Sequence, residues 1–128
     1  MGNYQLGRII AFIASVSGAI AVALGAFGAH KLKDFLLETK RLEVFETAVK
    51  YHFIHTLLLL FIGFLLSNVK SNTLQYASYV AIAGIVIFSG SLYLLCLTQT
   101  PKLGAITPIG GLLLIAAWVL LGVYAIKG

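Results

Sequence analysis

Four long apolar runs, separated by three polar stretches, set the plan of this chain. The runs extend from about Ile9 to Ala29, Ala48 to Ser67, Leu74 to Leu97 and Pro108 to Ile126. Each is close to the roughly 20 residues that carry a helix across a bilayer. A single segment crosses lipid as a helix because its backbone groups must then be satisfied within the segment. None of the runs alternates polar and apolar residues as a barrel strand does. The predicted fold is therefore all-α: one polytopic membrane domain over residues 1–128, with four transmembrane helices.

The first polar stretch, residues 30–47, is amphipathic. Leu32, Phe35 and Leu36 form one apolar stripe, and Leu42, Phe45 and Val49 form a second at spacings of three and four. Charged residues fill the positions between. This pattern predicts an interfacial helix in two pieces, broken near Thr39 and lying between helices one and two. Phe35, Leu36, Leu42 and Phe45 would anchor it at the surface, with Lys31, Lys33, Lys40, Arg41 and Lys50 on lipid phosphates. Glu46 and Lys50 stand in the favourable i,i+4 order. From Glu43 to Leu60 the sequence passes from charged to wholly apolar with no helix breaker, so one helix is expected to rise from the surface into the membrane.

The other polar stretches are short. Ser71 or Asn72 is expected to cap the third helix. Thr107 followed by Pro108 reads as a cap with proline at the first helical position. Trp118 and Tyr124 read as lipid or interface contacts.

Composition sharpens this picture. Of 128 residues, 60% are hydrophobic and only 10% charged, against about 25% charged in soluble domains. The net charge is +5, but the basic residues are scattered among apolar spans, which excludes a nucleic-acid groove. Six of them lie on the side holding the connector and the 98–107 loop, which favours that side facing the cytoplasm. Membrane lipids are the expected partners. The first run is longer than the 7–15 residues of a signal-peptide core, so it is expected to stay as a span. Leu6 stands where an N-terminal acylation signal needs Ser or Thr. Cys96 is the single cysteine, which excludes an internal disulfide and a cysteine-rich metal site.

Small residues mark expected helix contacts. Ala14 and Gly18, then Ala21, Gly25 and Ala29, recur at spacings of four, which lets another helix approach closely. Ser89, Gly90, Gly110 and Gly111 suggest close packing later in the chain. The pattern leaves open whether the partner is another helix of this chain or a second copy; homo-oligomerisation through this face is the expected use.

The candidate chemistry lies in three histidines predicted on one side of the membrane. His30 ends the first span, and His52 and His55 share a face of the second, with Tyr51 and Glu46 nearby. The sharp reading is a ligand, metal or haem site, since imidazole is the commonest metal ligand. The spacing is His-x-x-His without the zinc-protease glutamate, and Glu46 lies about 120° around the helix from His52. The plainer reading has the histidines bonding to neighbouring helices and loop carbonyls. No metal or cofactor is assigned. Proton-coupled transport lacks a membrane-embedded carboxylate, because all four acids lie in the connector. Ser89 or Ser91 beside His55 would be the pairing for an enzyme, but no nucleophile motif surrounds either serine. No catalytic residue is assigned.

Four blocks carry a resemblance. They are Gly-Ala-Phe-Gly-Ala-His-Lys-Leu at 25–32, Phe-Glu-Thr-Ala-Val-Lys-Tyr-His-Phe-Ile-His at 45–55, Phe-Ser-Gly-Ser-Leu-Tyr at 88–93 and Leu-Gly-Ala-Ile-Thr-Pro-Ile-Gly-Gly at 103–111. Together, and in this order, they resemble the YgdD/YwdK-like family of small bacterial inner-membrane proteins of unknown function. The resemblance implies four membrane helices and a multi-pass cell-membrane location. It brings no catalytic residue with it. The expected role is a non-enzymatic scaffold, or a partner- or lipid-binding protein that self-associates with itself and an unidentified protein. The alternative is the histidine-based ligand site.

Overall fold

A computed structural model describes residues 3–128. Helix α1 spans Asn3–Ala29, α2 Lys33–Glu38, α3 Leu42–Leu66, α4 Asn72–Thr98 and α5 Thr107–Lys127, with a short 3-10 helix at Pro101–Ala105 before α5. Four of these helices are long and apolar enough to cross a membrane. No strand occurs among the described residues.

Packing follows the order α1 on α3, α3 on α4 and α4 on α5. The two middle helices are accordingly the most enclosed: 44% of the apolar window of α3 and of α4 is buried, against 17% for α1 and for α5. The outward faces of α1 and α5 carry Phe12, Val22, Leu112, Ile115 and Val119, all more than half exposed. In a bilayer those faces meet acyl chains.

The small residues of α1 are spent inside the chain. The buried positions recur as Gly7, Ala14, Ala21 and Gly28, every seventh residue, with Ile10 buried between the first two. A seven-residue repeat keeps one seam of a helix on its neighbour. Here the neighbour is α3. A β-carbon on Gly7 would lie 2.6 Å from the carbonyl oxygen of Gly63, and one on Gly63 would lie 2.8 Å from the backbone nitrogen of Ala11. Those two glycines bring the backbones of α1 and α3 into contact. Gly28 makes room for the ring of Phe45. Of the positions expected at spacings of four, Ala21 is fully buried, Gly18 and Gly25 are half-buried and Ala29 is exposed. Of that face, α3 covers Ala21 and part of Gly18 and Gly25, while Ala29 stays open.

A second small-residue contact joins α4 and α5. A β-carbon on Gly110 would sit 2.7 Å from the Cα of Phe88, and one on Gly84 would strike the side chain of Leu114 at 2.6 Å. Gly111 meets only the Phe88 ring at ordinary distance, and Gly90 faces open space.

The connector breaks where expected, by a specific device. The backbone of Arg41 donates to Leu36 O at 2.8 Å and that of Lys40 to Leu37 O at 3.1 Å. Lys40 takes φ 59°. This is a Schellman turn with lysine in the left-handed position that glycine usually fills. The anchors differ from expectation. Leu36 and Phe45 are buried against Leu95 and Cys96 at the end of the bundle, while Phe35 stays exposed. Packing within the protein, rather than lipid, covers two of the four apolar anchors. Lys31, Lys33, Lys40 and Lys50 are exposed and Arg41 is half-buried. Glu46 and Lys50 form no ion pair, and none occurs among the described residues.

Ser71 caps α4, its hydroxyl accepting from Leu74 N at 3.1 Å. Thr107 does not cap α5. Its hydroxyl instead bonds to Ser91 on α4 at 2.6 Å, because a polar group inside an apolar bundle takes the nearest partner.

Candidate functional site

The three histidines do not converge. His30 sits exposed at the end of α1, lining a shallow dent with Lys31 and Phe27. His52 and His55 are both buried on α3, three residues apart, yet their rings meet different helices. Among the described residues no group of three or more His, Cys, Asp or Glu could hold a metal ion. Glu46 is exposed on the other side of the α1–α3 seam.

His55 turns toward α5. Its Nδ1 lies 2.7 Å from the Tyr51 carbonyl oxygen, and Trp118 Nε1 donates to its Nε2 at 3.0 Å. A carbonyl only accepts and an indole N–H only donates. The two partners therefore assign a neutral ring with its proton on Nδ1. Tyr51 stacks on His55, with centroids 5.9 Å apart, and on Phe88 at 4.8 Å. Trp118 is thus an internal tie as well as a lipid-facing residue. No sequence signal links two residues so far apart along the chain.

His52 turns the other way, into the space between α1 and α4. Its Nε2 lies 2.9 Å from the Ser17 hydroxyl and its Nδ1 lies 2.8 Å from the Tyr93 hydroxyl. Ser17 is also 2.7 Å from Thr56 Oγ1. Three helices therefore share one hydrogen-bonded chain: Thr56, Ser17, His52, Tyr93. Ser17 was not singled out from the sequence, since a serine amid alanine and valine carries no pattern of its own. Ser89, on the face of α4 that also holds Tyr93, donates to Ala48 O at 2.8 Å. Neither Ser89 nor Ser91 bonds to His55, so the serine–histidine pairing expected for an enzyme is absent. The 98–107 loop does not join the histidines either: Thr107 pairs with Ser91 and Thr98 with Leu94 O.

This chain forms the floor of a groove. Helices α1 and α4 run in the same direction on either side of α3 with little contact between them, leaving a lateral opening of about 390 Å³. Ile13, Val16 and Ile20 wall it on one side, and Ile82, Ile85 and Val86 on the other. Gly90 lines it, and a β-carbon there would meet nothing within 4 Å. Along α1 the walls extend over the 12 residues from Ile13 to Leu24, 11 rises of 1.5 Å or about 16 Å. On α3 and α4 the polar lining residues His52, Ser89 and Tyr93 lie toward the connector end, and on α1 Ser17 stands between Val16 and Ile20 with Leu24 beyond it. His52 stands four residues inside the apolar run that begins at Ala48, roughly 6 Å along the helix, and its ring is buried, so its partners come from protein or ligand.

A second recess, of about 440 Å³, lies across the seam where α1 meets the first turns of α3. Gly25, Gly28 and Phe45 form its floor, and Lys33, Glu46 and Lys50 stand around it. It is charged where the groove is not. Arg41 belongs to neither cavity; its Nε is shielded without a hydrogen-bond partner among the described residues.

The comparisons with known proteins agree with this architecture. A family described as "Protein of unknown function (DUF423)" matches residues 24–111. The chain is 43% identical over 121 residues to the UPF0382 membrane protein YwdK of Bacillus subtilis, covering 94% of this chain and 98% of that protein. It is 43% identical over 120 residues to a UPF0382 membrane protein of Staphylococcus epidermidis, covering 94% and 97%. No solved structure matches it. The chain belongs to the UPF0382 (DUF423) family of multi-pass membrane proteins, whose function is unknown.

Proposed function

We propose that this protein binds a membrane amphiphile, admitted sideways from the bilayer into the groove between α1 and α4. The observation that carries this reading is the floor of the groove. Buried polar groups in lipid are costly and are retained where they serve a site, and here a connected polar chain lines an apolar trough open to acyl chains. Ligand sites have this composition: apolar walls with a few convergent polar groups. The role is one of binding, and it replaces the three-histidine metal site as the use of His52.

The test is photolabelling in vesicles that contain a long-chain lipid with a diazirine in its tail. Labelling is expected to concentrate on Ile13, Val16, Ile82 and Val86, and to fall when Gly90→Trp fills the trough. A uniform belt over the outer faces of α1 and α5, unchanged by Gly90→Trp, would overturn the reading.

One observation favours a second reading. Ser17, His52 and Tyr93 stand as a nucleophile, a base and the group that orients it, which suits acyl transfer on a lipid ester. A fluorophosphonate probe decides: covalent labelling of Ser17, lost in His52→Gln, supports it, and no labelling of the folded protein removes it.

A further inference from the structure

The groove's hydrogen-bonded chain has a direction, and that direction names the head of the ligand. Among the described residues the Thr56 hydroxyl has one partner, Ser17, and Thr56 is 4% exposed. If Ser17 donated to Thr56, the Thr56 hydrogen would be left without an acceptor in an apolar interior, which is costly. With Thr56 donating to Ser17, every inner hydrogen is used. Ser17 then donates to His52 Nε2. The imidazole proton sits on Nδ1 and is donated to the Tyr93 oxygen. The one hydrogen left over is that of the Tyr93 hydroxyl, which has no other partner among the described residues, and Tyr93 is one of the residues that line the groove.

The walls supply the second constraint. Among the described residues no Lys, Arg, Asp or Glu lines the groove, whereas Lys33, Lys50 and Glu46 all gather at the separate recess across the seam. A carboxylate or phosphate brought into the groove would lose water and gain no counter-charge. The occupant is therefore uncharged at its head.

We propose that the groove takes a neutral long-chain lipid whose head is a carbonyl oxygen, held by the Tyr93 hydroxyl, with its tail along Ile13, Val16 and Val86. This rests on the groove being an amphiphile site. It assigns the class of ligand: an oxygen that accepts one hydrogen bond, no charge, and an apolar chain. The Tyr93 ring stays packed at 5.4 Å from Phe45 whether or not its hydroxyl is engaged, so the donor is held in place before the ligand arrives.

The experiment is competition against the diazirine lipid by three probes of matched chain: 2-heptadecanone, hexadecane and palmitate. The ketone is expected to displace the label roughly fivefold to tenfold more effectively than hexadecane, the advantage of one hydrogen bond, and more effectively than palmitate. Tyr93→Phe keeps the ring and removes the donor; it should bring the ketone down to the level of hexadecane while leaving hexadecane unchanged. Equal displacement by all three probes, or preference for palmitate, overturns the carbonyl assignment and leaves the groove as an amphiphile site. Failure of every probe to displace the label overturns the groove itself. Should Tyr93→Phe not fold, the wild-type protein still decides. A ketone labelled with carbon-13 at the carbonyl is expected to show its stretching band shifted to lower frequency when bound, and an unshifted band contradicts the bond from Tyr93.

Discussion

Trp118 reaches from α5 across to α3 and donates its indole hydrogen to His55 Nε2 at 3.0 Å. Helix α5 otherwise packs mainly on α4, so this bond ties the end helix to the centre of the bundle. Trp118→Phe keeps one aromatic ring, loses the other with its N–H, and leaves Nε2 of a buried histidine unpaired. Hydrogen bonds between membrane helices are worth about 0.6 kcal/mol on average and up to about 2 kcal/mol. The expected loss is at the upper part of that range, read as a lower thermal midpoint in detergent. A cycle with His55→Leu should return a coupling of the same sign; zero coupling would show that the bond contributes nothing.

The glycines sort by what stands opposite them. Gly7→Ala and Gly63→Ala place a methyl against backbone, at 2.6 Å from Gly63 O and 2.8 Å from Ala11 N respectively. Backbone cannot turn aside, so α1 must separate from α3. Gly90→Ala and Gly122→Ala meet nothing within 4 Å. Alanine is the better helix former by about 1 kcal/mol, so these two should be neutral or stabilising in the folded protein. Thermal denaturation of the four variants should divide them into two pairs. Equal effects across the four would contradict the α1–α3 contact.

That contrast shows what sequence reasoning captures here and what it leaves out. Hydropathy gave the four spans, because apolar length is the membrane's own criterion. The break after Thr39 was also readable, from the phase change between the stripe at Leu32 and the one at Leu42. The partner of a small-residue face was not. Spacings of four through Gly25 and Ala29 and of seven through Gly7, Ala14, Ala21 and Gly28 coexist in the same glycine- and alanine-rich helix, and only the position of α3 selects between them. The histidines show the same limit. His52 and His55 are neighbours along α3, but three residues is about 300° of helix, and the 60° left between them is enough for His52 to address α1 and α4 while His55 addresses α5.

The same divergence bears on metals. Both nitrogens of His55 are engaged, by Tyr51 O and Trp118, and both of His52 by Ser17 and Tyr93. A metal would have to break a buried bond at each ring and would still find His30 elsewhere. Adding zinc should leave the thermal midpoint unmoved, and native mass spectrometry of the protein in a mild detergent should show no zinc adduct at stoichiometric metal. An adduct that disappears in the His52→Gln, His55→Gln double variant would restore the histidine site.

Lys40 offers a prediction of opposite sign. It holds φ 59° at the turn that ends α2, where a side chain costs about 1–2 kcal/mol relative to glycine. Its own side chain is exposed, so little packing is lost with it. The turn's two backbone bonds, from Arg41 to Leu36 and from Lys40 to Leu37, need no side chain at this position. Lys40→Gly should therefore stabilise, offset in part by the extra freedom glycine gives the unfolded chain, for a net gain of about 0.5–1 kcal/mol. Lys40→Val should destabilise, because a β-branched residue is least tolerant of positive φ. Unfolding midpoints for the pair, measured in one detergent, check both directions at once.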